Sequence, residues 1–107
     1  MIEIRRDEDD ELLGYVVPAG DRWQPMTVFQ VAMADPTSRD DAEDVVRADG
    51  LASLSDPWWV EDAGEWREAR LQEAEGTRIR IRWADPLIDQ PAHGHWVDTK
   101  ERRVRRG

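Results

Sequence analysis

The sequence predicts an α+β domain in which one main helix packs on a face of a curved antiparallel sheet of about six strands. Two observations carry this prediction. Apolar and polar residues alternate in several separate segments, as is typical of half-buried strands. Only residues 39–49 combine a capping residue, an acidic first turn and an apolar stripe at helical spacing. The predicted order is hairpin, strand, helix, strand, hairpin, followed by a short late strand around Trp96.

Three strands are predicted before the helix. Ile2 and Ile4 alternate with polar neighbours, and residues 13–17 alternate again, so these segments are expected to form a hairpin around the acidic run 7–11. Residues 26–33 are dense in apolar and β-branched side chains, which is typical of a strand that is covered on both faces. We therefore expect the third strand there.

The helix is predicted over residues 39–49. Ser38 is placed to cap its first turn, where acidic residues also favour the positive end of the helix dipole, and Gly50 is expected to end it. Three residues form the apolar stripe that would face the sheet: Ala42, Val45 and Val46.

The segment 65–75 fits either a helix or a strand. Its composition favours a helix, but helical spacing gives no coherent apolar stripe. The strict alternation of residues 78–83 favours a hairpin instead, with a three-residue loop that ends at Gly76 in a left-handed conformation. That register would pair Leu71 with Ile79, and Arg70 with Arg80.

Tryptophan supplies most of the aromatic surface, because six indoles stand beside one Phe and one Tyr. A Trp side chain buries roughly 150–250 Å², so most of the six are expected to lie in the core. Trp58 and Trp59 are adjacent in a predicted strand and should point to opposite faces. One of these two, together with Trp96, is expected at the surface as a contact residue.

The charge is segregated along the chain. The net charge is −9, yet residues 100–107 carry +4, which leaves −13 on residues 1–99. We expect residues 1–99 to form a single domain and residues 100–107 to form a basic, flexible tail. Because the acidic body repels phosphates, nucleic-acid binding is expected only through that tail.

An arginine ladder is the main candidate for a binding surface. Side chains at alternate positions of a strand share one face, about 7 Å apart, a spacing that suits successive anionic groups. The alternative interpretation is an ordinary solvated face neutralised by nearby carboxylates. The candidate surface comprises Arg70, Arg78, Arg80, Arg82, Trp58, Trp59 and Trp96.

A metal site is a weaker hypothesis. His93 and His95 have the spacing of alternate strand residues, and Asp98 (or Asp89) is near enough in sequence to supply a carboxylate, although Gly94 and a nearby proline favour a turn. The chain has no Cys, no recognisable catalytic triad and no Gly-rich phosphate loop. These features disfavour an enzyme, predict no cofactor, and favour a reducing cytoplasm over a membrane or an oxidising compartment.

Three motifs carry a resemblance: GYVVPAGDRWQPMTVF at 14–29, DDAEDVV at 40–46 and DGLASLSDPWWV at 49–60. In this order they resemble small uncharacterised proteins of high-GC bacteria, and the resemblance implies packing motifs and no particular activity. The function expected from the sequence is a non-enzymatic interaction or regulatory module that binds a protein partner, with a homodimer as a second arrangement. The alternatives are a small-ligand or metal-binding domain and an acidic nucleic-acid mimic.

Overall fold

The computed structural model describes residues 1–106 and is an α+β fold with two antiparallel sheets. The first sheet has the order β1-β2-β3 and the second the order β7-β6-β5-β4-β8. The predicted class, the antiparallel pairing and the single α-helix are confirmed, but two sheets replace the one curved sheet of about six strands. The elements are β1 Ile2–Arg5, β2 Leu12–Ala19, β3 Arg22–Met26, α1 Arg39–Asp49, a 3-10 helix Ala52–Ser55, β4 Pro57–Asp62, β5 Glu65–Glu75, β6 Arg78–Trp83, β7 His95–Asp98 and β8 Val104–Arg106.

The first sheet begins with the predicted hairpin. Ile2 lies opposite Val16, and α1 packs on the three strands to form a small core. Gly14 is required where the two layers meet, because a Cβ atom there would clash with the Met26 carbonyl group and the Val46 side chain. The buried residues of this core are Ile4, Leu13, Val16, Met33, Ala42 and Val46.

The predicted bounds of α1 are confirmed. The Ser38 hydroxyl accepts a hydrogen bond from the Asp41 amide at 3.2 Å, which satisfies one of the free donors of the first turn. Gly50 follows the helix in a right-handed conformation, with φ −50°. A side chain is excluded there because its Cβ atom would clash with the carbonyl oxygens of Leu13 and Val46.

The strand predicted over residues 26–33 is wrong. The strand β3 ends at Met26, and the chain then makes a tight turn in which Gln30 has φ +63°. The Thr27 hydroxyl accepts a hydrogen bond from the Val31 amide at 3.1 Å, which closes the turn. Its buried apolar residues divide between the two cores, because Phe29 and Val31 enter the core of the second sheet and Met33 enters that of the first.

The predicted hairpin of β5 and β6 is confirmed, with a different register. Leu71 lies opposite Ile81, and Arg70 lies opposite Arg82. Two features shift the pairing: the turn has only two residues, and β5 bulges between Leu71 and Glu73. Gly76 has φ +59°, so its predicted left-handed conformation is confirmed.

One side of the second sheet, the inner face, forms the larger core. The Phe29 ring meets the Trp58 ring edge-on, with centroids 5.1 Å apart. The Trp58 indole nitrogen donates to the Ser53 carbonyl at 2.9 Å, so this buried polar atom is satisfied. The cluster consists of Phe29, Val31, Trp58, Val60, Ala69, Ile79, Ile81, Trp83 and Val97.

The C-terminal residues differ from the flexible tail that their charge predicts. The strand β8 pairs with β4, with Val104 opposite Val60. The Arg106 guanidinium lies 2.6 Å from an Asp56 carboxylate oxygen and 3.5 Å from one of Asp49. These pairs offset the charge that would otherwise keep the segment solvated, and they connect the second sheet to the end of α1.

Candidate interaction surface

The candidate surface is the outer face of the second sheet, the side opposite the inner face. The helix α1 packs on the first sheet and reaches the second only at its C-terminal end, through the Asp49–Arg106 ion pair, so it does not cover this face. Because side chains alternate along each strand, the outer face is defined by the pairing register. Its residues are Trp59, Glu61, Trp66, Glu68, Arg70, Glu73, Glu75, Arg78, Arg80, Arg82, Trp96, Asp98 and Arg105.

The structure brings the four predicted arginines together on the outer face, and two of them are used to hold a loop. Arg80 pairs with Glu73 at 3.3 Å and donates to the His93 carbonyl. Arg82 donates to the Ala92 carbonyl. These contacts tether the loop before β7 to β6, which is a structural role that the sequence did not predict.

Several outer-face arginines lack a close carboxylate. In the part of the chain that the structure describes, Arg78, Arg82 and Arg105 form no ion pair. The Arg70 guanidinium has a carboxylate oxygen of Glu68 at 3.9 Å, which is a long contact for an ion pair. The chain has 24 acidic residues for 15 basic ones, so cations without partners are not expected from composition alone. The outer face therefore has as many acidic as basic residues, yet it leaves three of its arginines without an ion pair among the described residues.

The tryptophans are less buried than the composition suggests. Trp58 points inward and is fully buried, whereas its neighbour Trp59 points to the outer face, as strand alternation predicts. Trp96 is 38% exposed and has the Arg78 guanidinium 4.7 Å from its ring centroid. Trp66 lies beneath Arg105 at 4.6 Å and also contacts Arg103. Stacked guanidinium groups thus cover indoles that the core leaves at the surface.

The metal candidates are not brought together. His95 lies on the inner side, with its ring 5.3 Å from that of Trp83, while Asp98 lies opposite Arg78 on the outer face. Burial, reinforced by Arg102, lowers the pKa of His95 below its ordinary value of 6.5. Within residues 1–106, no group of three or more potential ligands has a geometry that could hold a metal ion.

A groove of about 790 Å³ runs between the outer face and the loop 84–90. Its floor includes Arg70 and Arg82, and its wall includes Leu87, which is 91% exposed. Sequence analysis missed this groove because its floor depends on the register of β5 and β6. The only sequence signal was an apolar dipeptide, 87–88, in an otherwise polar loop.

Comparisons with protein-family models, with curated proteins and with solved structures find no match to this chain. The resemblance to small bacterial proteins therefore stays a prediction. Over residues 1–106, no helix has the length and apolar character needed to cross a membrane.

Proposed function

We propose that this protein is a non-enzymatic interaction module that binds a protein partner through the outer face of the second sheet. One observation carries the proposal: cations without ion pairs and partly exposed indoles share a sheet face that α1 leaves uncovered. Tryptophan and arginine are the residues most enriched among the energetically dominant contacts of protein interfaces. Their combination on one face favours recognition by contact over chemistry.

A protein fits this face better than a nucleic acid does. Carboxylates stand among the arginines on the same strands, and the chain as a whole carries −9. A phosphate backbone would meet repulsion from both, whereas a protein can match mixed charges group by group. The five acidic residues of the face are Glu61, Glu68, Glu73, Glu75 and Asp98.

The alternative functions would use other parts of the molecule. An acidic nucleic-acid mimic would present residues 1–56, which hold 14 acidic and 5 basic residues. A metal-binding domain would need His93, His95 and Asp98 to converge, whereas His95 and Asp98 lie on opposite faces of β7. Neither alternative explains why unpaired arginines gather on the second sheet.

Because we place the protein in the bacterial cytoplasm, its partner should be present in a bacterial lysate. Affinity capture from such a lysate therefore tests the proposal. The full chain is compared with Arg78→Gln and with Trp96→Ala, and captured proteins are quantified by mass spectrometry. We expect a specific partner that the full chain enriches and that both variants lose. Arg22→Gln is the matched control, because Arg22 is an exposed arginine of β3 that forms no ion pair within residues 1–106.

A partner that both outer-face variants retain would contradict the proposal. Light scattering at micromolar concentration distinguishes a second copy of this chain from a different protein. A dimer mass that falls to the monomer mass on Trp96→Ala would make the partner a second copy. A monomer mass in the unmodified chain would remove the homodimer and leave a different protein as the partner.

A further inference from the structure

The groove between the outer face and the loop 84–90 has two like charges on its floor, and their repulsion is unfavourable when nothing is bound. Arg70 and Arg82 lie directly opposite each other in the β5–β6 ladder. Like charges at directly opposed positions destabilise a sheet. Arg82 is held by the Ala92 carbonyl, which neutralises no charge, and Arg70 has its nearest carboxylate at 3.9 Å. A carboxylate placed between the two guanidinium groups would turn this repulsion into attraction.

The wall of the groove presents an apolar group that local hydrogen bonds keep exposed. The Leu87 amide is bonded to the Asp85 carboxylate at 2.9 Å, which fixes the turn. The Gln90 side-chain amide accepts from the Trp83 amide at 2.7 Å and donates to the Trp83 carbonyl at 3.1 Å. These bonds hold the loop against β6, while Ile88 packs on the core and Leu87 points to solvent.

The charges around the groove favour a single carboxylate over a polyanion as the bound group. Glu68 and Asp89 also line it, so its two cations are balanced by two carboxylates. A polyanion would be repelled by these groups and by the net charge of −9. A single carboxylate that reaches the floor avoids most of that repulsion.

We infer that this groove binds a short acidic-hydrophobic segment of the partner protein, with one carboxylate between Arg70 and Arg82 and an apolar side chain against Leu87. The inference rests on the proposed function and names the chemistry of the partner. The volume of about 790 Å³ lies within the range of about 300–1,000 Å³ that is usual for pockets that bind small ligands. Arg70 is the recognition residue, and Arg82 is the partly fixed second cation.

Selection from a random dodecapeptide phage library on the immobilised full chain tests this inference. We expect the enriched peptides to carry Asp or Glu next to an apolar residue. Binding of a synthesised, fluorescein-labelled winning peptide should weaken about tenfold on Arg70→Gln, as loss of a charge-assisted hydrogen bond implies. Leu87→Ser should also weaken it, and Arg22→Gln should leave it unchanged. Both groove residues are at the surface, and circular dichroism verifies that the variants fold.

Three results would overturn the inference: no enriched peptide, enrichment of basic peptides, or equal binding to Arg70→Gln. A labelled oligo-uridylate that binds the full chain and loses binding on Arg70→Gln would assign the groove to nucleic acid instead. The lysate capture keeps the two proposals separate. A partner that is lost on Trp96→Ala but retained on Arg70→Gln would leave the outer face as the docking surface and exclude the groove.

Discussion

The two halves of the chain bury the apolar faces of their sheets in different ways. Residues 1–56 fold a three-stranded sheet under α1 and carry the whole net charge of −9, whereas residues 57–107 have ten acidic and ten basic residues. Within residues 1–106, no α-helix packs on a face of the second sheet, and only the short 3-10 helix Ala52–Ser55 contacts it. Its inner face is closed largely by the turn that contains Phe29. No α-helix of the described chain covers its outer face, where tryptophan and arginine side chains lie.

The half of the chain whose charges are balanced is also the half that holds the exposed tryptophan, Trp96. In the acidic half, one partly buried indole, Trp23, has Arg39 over its ring at 5.3 Å. In the neutral half, arginines cover two indoles of the outer face, Trp66 and Trp96, in the same way. A long arginine side chain buries its apolar stem on the ring and keeps its charge in water. The neutral half therefore carries most of the indoles that are covered by arginine side chains.

The largest expected effect concerns the contact that joins the halves. Phe29→Ala should lower the free energy of unfolding by about 3–5 kcal/mol, because it leaves a cavity against Trp58 that the sheet cannot close. Chemical denaturation followed by tryptophan fluorescence measures this. Trp83→Ala, which removes a large ring from the same cluster within the second half, should cost about as much. An unchanged denaturation midpoint for Phe29→Ala would show that the second core closes without the first half.

Much of the fold is predictable from local sequence patterns. The helix bounds, the first hairpin and the β5–β6 hairpin follow from capping residues, alternation and Gly76. The turn at Phe29 was missed because a buried turn has the composition of a strand. The bulge in β5 was missed although the spacing from Leu71 to Ala74 is three residues, which only an extra residue in the strand allows on one face.

The candidate surface is predictable only in part, for a physical reason. Alternation alone places Arg78, Arg80 and Arg82 on one face, but the carboxylate that each one meets depends on the register across strands. The strand β8 was missed because its arginines are typical of a solvated tail. Their partners, Asp49 and Asp56, are about fifty residues away in sequence, and no local pattern connects them.

Each half contains a two-residue turn that begins with glycine, which allows a matched test. Gly20 has φ +65° and Gly76 has φ +59°, and a Cβ atom at either position would meet nothing within 4 Å. Valine at either site should therefore lower stability by about 1–3 kcal/mol through backbone strain alone. The two variants are expected to lose equal amounts of the free energy of unfolding, because both halves belong to one cooperative unit. A loss at Gly76 with none at Gly20 would show that the first hairpin frays independently of the second sheet.

The Arg106 pairs offer a smaller test of how the halves are joined. Arg106→Gln removes the ion pairs to Asp49 and Asp56 and should cost about 1–2 kcal/mol, since the guanidinium is partly buried. Arg22→Gln is the control, because Arg22 is exposed and forms no ion pair within residues 1–106. Urea denaturation of both variants measures the difference. Equal stability of the two variants would mean that β8 is held by its backbone pairing alone.

The smallest expected effect is a pH dependence confined to the second half. Burial against Trp83 lowers the pKa of His95 below 6.5, so the folded state binds this proton less tightly than the unfolded state does. The stability contributed by neutral His95 is therefore complete above pH 6.5 and is lost as the pH falls below that value. His95→Gln should remove this part of the pH dependence, whereas His93→Gln, whose side chain is exposed, should retain it. Denaturation midpoints of the three proteins between pH 8 and about pH 5 provide the measurement, over a range in which only histidine has an ordinary side-chain pKa. An identical pH dependence in all three would show that the His95 ring is solvated and that the inner face is open at its β7 edge.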